Sequence, residues 1–152
     1  MTAAFSTVHS SAAQPSKAKA TSTLAKNLSP LQAHDLVTEG VTVLVARQMM
    51  ASFDILQRDE ILRVVGISER TLQRGQAKNK LLDSNASDRT LRLAEVTDQA
   101  IDVLGSQQAA ELWMSKPALA LDQRRPIDLL QSSAGTDLVK SLLTRMDHGV
   151  YA

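Results

Sequence analysis

The 152-residue chain contains no cysteine. That excludes disulfides, thiolate metal centres and a cysteine nucleophile, and it suits a reducing cytoplasm. Aromatic residues are scarce, with two Phe, one Trp and one Tyr. The core must come from Leu, Val, Ile, Ala and Met, which favours helices over a sandwich or barrel. A formal net charge of +1 offers no global attraction for nucleic acid, so any DNA contact must rest on local clustering. No apolar run approaches the length of a membrane span. The N-terminus lacks a basic region followed by an apolar core, so no secretory signal is expected. The histidines, His9, His34 and His148, have no partner at ligand spacing, so no zinc site is expected. A glycine-rich phosphate loop is also missing. Carboxylates are read as solvated along helices. His148 beside Asp147 reads more simply as a helix-terminal dipole partner than as a base. Neither an enzyme nor a cofactor is expected.

Residues 1–27 are rich in Ala, Ser, Thr and Lys and read as an unstructured arm. Its lysines Lys17, Lys19 and Lys26 are either solvated or brush a phosphate backbone. From Leu28 to Phe53 apolar residues recur at helical spacing (Leu36, Val37, Val41, Leu44, Val45, Met49), with Gly40 dividing the region. A short helix then carries Ile61, Leu62, Val64 and Val65. Gly66 breaks it, Ile67 is the apolar anchor, and Ser68 is the N-cap of a second helix toward Gln76. This is the order of a helix-turn-helix. Arg70, Arg74 and Lys78 recur every four residues as a basic stripe, and Ser68, Thr71 and Gln73 are placed to reach phosphates or base edges. A plain α-hairpin with a charged face is the alternative. Glu69 would repel phosphate, Gly75 sits where a longer second helix would continue, and Arg58 is left between phosphate and carboxylate partners.

A long helix follows, expected to be capped by Ser87 and ended by Gly105. Its two apolar rows require cover on two sides, from the two halves of the chain or from a homodimer partner. Ser106 to Met114 reads as a further short helix, with Trp113 in the core. Arg124 and Arg125 lie in a loop, either solvated, capping a carbonyl or touching a partner. Pro126 opens a short helix, Gly135 is expected to stop it, and Thr136 is expected to cap the last one. There Leu138, Val139, Leu142, Leu143 and Met146 form the apolar stripe and Gly149 ends the helix. Val150 either folds back on the final turn or joins Tyr151 as a docking segment.

The order Trp113, Pro117, Ala120-Leu121, Pro126, Leu129-Leu130, Gly135, Val139, Leu142-Leu143, Arg145 and His148-Gly149-Val150 resembles the C-terminal toxin-binding domain of Xre/MbcA/ParS-type antitoxins. The resemblance implies an all-α fold, with a helix-turn-helix domain over residues 28–105 and a toxin-binding domain over 106–152. It implies an antitoxin for an NAD-consuming RES-domain toxin, whose active site the C-terminal end covers. Arg145, His148, Gly149, Val150 and Tyr151 would then be the toxin-binding residues, with Val150 and Tyr151 buried in the toxin. It further implies a cytoplasmic homodimer that binds double-stranded operator DNA and represses its own operon. The competing expectation is a transcriptional regulator whose C-terminal half only dimerises.

Overall fold

The structure is a computed structural model that describes residues 24–76 and 79–149. Among these residues there is no strand, only the isolated backbone bridges Thr42–Leu81 and Ala118–Arg124. Helix α1, Pro30–Glu39, starts on a capping box in which Ser29 and Gln32 satisfy each other's backbone N–H. Gly40 separates it from α2, Val43–Ser52, which Thr42 caps. The helices α3, Arg58–Val65, and α4, Glu69–Gln76, complete the first half. Helix α5, Ser84–Leu104, runs through the molecule to α6, Gln107–Ser115. A 3-10 turn at Leu119–Leu121, a short α7 at Pro126–Leu129 and α8 at Ser133–Asp147 form the rest.

The two apolar rows of α5 bury Leu91, Leu93, Ala94, Val96 and Ala100. They are covered within the chain, by α1 and α3 from the first half and by α6 and α8 from the second. A single core cluster runs from Val43 to Leu143 across both halves. Trp113 is half-buried and packs against it. So do Leu24 and Ala25, which fall inside the span expected to be unstructured.

Three helix boundaries differ from expectation, each because a better acceptor or a tighter contact lies nearby. Helix α5 begins at Ser84 because Asp83 caps it, its Oδ1 accepting from the Ala86 N–H at 2.7 Å. Ser87 is therefore inside the helix and buried, where its hydroxyl accepts from the Val41 N–H at 2.9 Å. Helix α8 likewise starts on Ser132, whose Oγ accepts from the Gly135 N–H at 3.0 Å. Gly135 lies within α8 rather than stopping α7. A Cβ there would collide with the Leu129 carbonyl, 2.9 Å from its carbon, so the requirement is close approach. Thr136 is not a cap; its hydroxyl donates to the Ser132 carbonyl at 2.8 Å.

Candidate functional site: a helix-turn-helix edge and the exposed face of the last helix

The turn between α3 and α4 is closed by backbone. Gly66 adopts a left-handed conformation, φ 79° and ψ 31°, which glycine reaches without steric cost. Its N–H and that of Ile67 both donate to the Leu62 carbonyl, at 2.8 and 3.2 Å. Ser68 Oγ accepts from the Thr71 N–H at 3.1 Å and lies 3.0 Å from the Thr71 hydroxyl. Leu72 is fully buried and fixes the rotation of α4. That rotation leaves Arg70, Gln73 and Arg74 exposed together, with Ser68 exposed at the helix start and Thr71 half-buried. Gly75 is the last residue but one of α4, which ends at Gln76. It is buried where a Cβ would sit 2.6 Å from Val43 Cγ2, so α2 and α4 approach too closely for any side chain. Lys78 lies outside the described residues.

Glu69 is held by Arg58 in a two-point ion pair, Nε to Oε2 at 2.8 Å and Nη2 to Oε1 at 2.9 Å. The hydrogen bonds from Arg58 pull the Glu69 carboxyl below its ordinary range, and those to Glu69 raise Arg58 above its own. The one carboxylate at the start of α4 is thus neutralised by α3. Arg70 and Arg74 make no ion pair among the described residues. They are exposed cations of this edge, and the half-buried Arg89 reaches the turn itself at Gly66.

On α8, Val139, Leu142 and Leu143 face the core, while Leu138 is 58% exposed. Leu138, Ser141, Arg145 and His148 are exposed at helical spacings of three and four residues, which puts them on one stripe. Arg145 also has no ion pair among the described residues. His148 Nδ1 sits 2.7 Å from the Thr144 carbonyl, as expected of a ring that terminates a helix. Gly149 is left-handed, φ 72°. Val150 and Tyr151 lie outside the described residues.

The largest departure from expectation is at carboxylates. Glu111 is not solvated but 1% exposed. Its carboxylate accepts from three consecutive backbone N–H groups, Asp54 at 3.1 Å, Ile55 at 2.6 Å and Leu56 at 3.0 Å. Gln107 donates to it at 3.1 Å. The connection between α2 and α3 is thereby tied to α6. Arg125 makes a second tie. It binds Asp128 at two points and donates from Nη1 to Glu60 on α3 at 2.6 Å. The sequence carried a signal for Glu111, which shares the inward register of Ala110 and Met114. It carried none for Arg125.

Asp98 on α5 is 7% exposed, and neither carboxylate oxygen has a hydrogen-bond partner. Burial pushes its pKa up to about 6, with nearby Lys26 opposing and Asp102 adding to the rise. No cluster of His, Asp and Glu that could hold a metal ion occurs among the described residues. No helix among those residues is long and apolar enough to cross a membrane.

Comparison with known proteins matches this two-part layout. Residues 32–95 match the antitoxin Xre-like helix-turn-helix domain, and residues 99–149 match the antitoxin Xre/MbcA/ParS C-terminal toxin-binding domain. The chain is 34% identical over 98 residues to an Antitoxin Xre of Yersinia enterocolitica, covering 64% of this chain and 66% of that one. It is 27% identical over 116 residues to an Antitoxin Xre of Photorhabdus laumondii, covering 76% and 78%. It is 23% identical over 133 residues to a Prs ADP-ribosylating antitoxin of a Sphingobium species, covering 82% and 83%. With a helix-turn-helix half joined by α5 to a toxin-binding half, the chain belongs to the Xre/MbcA/ParS antitoxins and is not an enzyme.

Proposed function

We infer that this antitoxin neutralises an NAD-consuming RES-domain toxin by laying its C-terminal end, Arg145 to Tyr151, over the toxin's active site. The same chain, as a cytoplasmic homodimer, binds double-stranded operator DNA and represses its own operon. The division of labour follows the resemblance, with residues 28–105 reading DNA and 106–152 holding the toxin. The carrying observation is the match of residues 99–149 to a toxin-binding domain whose last helix ends in an exposed, unpaired Arg145. A cation so placed supplies a charge-assisted contact to a carboxylate of the partner. One relative is named for ADP-ribosylation, a chemistry that consumes NAD, and this supports the toxin class. For DNA, the support is the edge on which Ser68, Arg70, Gln73 and Arg74 are exposed, with Thr71 half-buried among them; Lys78, on the same basic stripe by its sequence spacing, lies outside the described residues. Paired half-sites are read by dimers, which is the reason for the homodimer.

The test is a chain ending at Asp147. Its last helix keeps every buried apolar contact, because the stripe ends at Met146. Circular dichroism and operator binding should match the parent. Toxin affinity should fall at least about tenfold, since two buried side chains contribute roughly 1.5–3 kcal/mol each before the cost of ordering the tail. NAD turnover by the toxin should resume. Full inhibition by the folded, truncated chain would place neutralisation on another surface. A regulator whose C-terminal half only dimerises would leave NAD turnover untouched by either chain.

A further inference from the structure

A small open cavity of about 260 Å³ lies between the 3-10 turn, α7 and the start of α8, lined by Ala120, Leu121, Asp122, Arg124, Leu129 and Leu138. Leu138, which lines it, is 58% exposed, and Leu119, the first residue of the 3-10 turn, is 78% exposed. Such side chains scattered singly would mean little. Here Leu138 lines a cavity whose wall, Ala120 and Leu121, directly follows Leu119 in the chain, and its charged rim is Asp122 and Arg124. The turn that forms its wall is fixed rather than frayed. Ala118 and Arg124 pair across it, the Gln123 N–H donates to the Ala118 carbonyl at 3.0 Å, and the Arg124 N–H donates to Leu121 at 3.1 Å. Asp122 and Gln123 are both left-handed, φ 57° and 60°, although neither is glycine. Residues held that way need surroundings that determine them.

We propose that this cavity is a second docking site for the toxin, taking one large apolar side chain of the toxin polypeptide against Leu121, Leu129 and Leu138, with the exposed Leu119 at the head of the turn within reach of the same partner. Resting on the toxin-binding reading above, it gives that domain an anchor distinct from its C-terminal end. The cavity is small and open, whereas ligand pockets usually run to about 300–1,000 Å³ and enclose most of their guest. It suits a single side chain inserted from a partner, the usual form of an interface hot spot, with the polar rim around it. The occupant is the toxin rather than a second copy because the site is continuous with the toxin-facing helix end. It falls wholly inside the segment that matches the toxin-binding domain. Leu138 also heads the exposed stripe that continues through Ser141 to Arg145 and His148. Seven residues separate Leu138 from Arg145, a rise of about 10 Å along one helix face. A toxin covering Arg145 and extending toward the start of α8 therefore meets the cavity.

The test uses the full chain expressed with the toxin gene of its own operon, and the purified complex. A photo-crosslinking amino acid is placed at Leu119, at Leu138, and at Leu31, which is exposed on α1 as a control. Crosslinks to the toxin are expected at Leu119 and Leu138 and not at Leu31. Leu119→Asp with Leu138→Asp should weaken the complex at least about tenfold while melting temperature and operator binding stay at parent values. If both variants bind within twofold of the parent, or an intact complex gives no crosslink at either position, the proposal is wrong. Crosslinks that join two copies of this chain instead would also overturn it. If the co-purified toxin does not consume NAD, the toxin-class reading fails, and the crosslinks and affinities still decide the cavity. If the parent chain retains no toxin, both readings fall.

Discussion

Replacing Glu111 by alanine removes the acceptor of the Asp54, Ile55 and Leu56 N–H groups in a single step. Hydrogen bonds to a charged group contribute about 1.5–3 kcal/mol each, and a buried donor left unpaired costs about 1–3 kcal/mol. Simple addition over three donors overstates the loss. Asp54 is exposed and Ile55 half-buried, so water can reach those two N–H groups once the carboxylate is gone. Leu56 is buried and its N–H carries the full penalty. The expected destabilisation is about 3–5 kcal/mol, in line with breaking other buried charged networks. Whole-domain stability is typically about 5–15 kcal/mol, so this is a large share of it. At roughly 2–4 °C per kcal/mol for a chain of this size, the melting temperature should fall by about 6–20 °C. Glu111→Gln keeps one acceptor oxygen and should lose roughly half as much. Thermal and urea unfolding followed by circular dichroism measure both, with Glu39→Ala on the exposed end of α1 as a control expected within about 0.5 kcal/mol of the parent. A Glu111→Ala protein within about 1 kcal/mol of the parent would show that the carboxylate does not hold the α2–α3 connection.

Asp98→Asn should stabilise the protein at neutral pH. The folded-state pKa of about 6 lies above the ordinary carboxyl value, so the folded protein binds the extra proton between about pH 4 and 6. Parental stability from Asp98 should therefore rise as pH falls from 7 through that window, and pH-dependent melts of the Asn variant should lose this rise; unchanged profiles would refute it. Arg70→Ala or Arg74→Ala should weaken operator binding by about 1–3 kcal/mol if the contact is bidentate to a base, with toxin binding retained. Titrations with both variants at parental affinity would reject the exposed edge of α4 as the DNA face. Gly135→Ala, which helix propensity alone would favour by about 1 kcal/mol, should instead destabilise by roughly 1–3 kcal/mol because its Cβ meets the Leu129 carbonyl. A gain in melting temperature would show that α7 can retreat.

Local patterns carried the helix-turn-helix well. Gly66, Ile67 and Ser68 act through contacts within a few residues, and short-range chemistry is what a sequence displays. The two apolar rows of α5 also told correctly that it needed cover on both sides. What escaped was decided by tertiary proximity. Gly135 looks like a helix breaker in sequence but is a place where the Leu129 carbonyl comes too close for a side chain, and the approach of Val43 to Gly75 is equally invisible there. Ser87 looks like a cap but spends its hydroxyl on Val41, 46 residues away. Arg125 looks solvated because its partner Glu60 is 65 residues distant, and the inward register of Glu111 gives no hint that its partners are the 54–56 backbone. Leu138 fits the apolar stripe by spacing, yet lies at its edge and faces outward.

The central claim is neutralisation by contact with an NAD-consuming toxin. Its most direct test is NAD turnover by the toxin of the same operon, followed while the full antitoxin chain is titrated in. Turnover should fall to the background at one antitoxin site per toxin active site and return when the chain ending at Asp147 is used instead. Undiminished turnover in a complex shown to be intact by gel filtration would contradict the account.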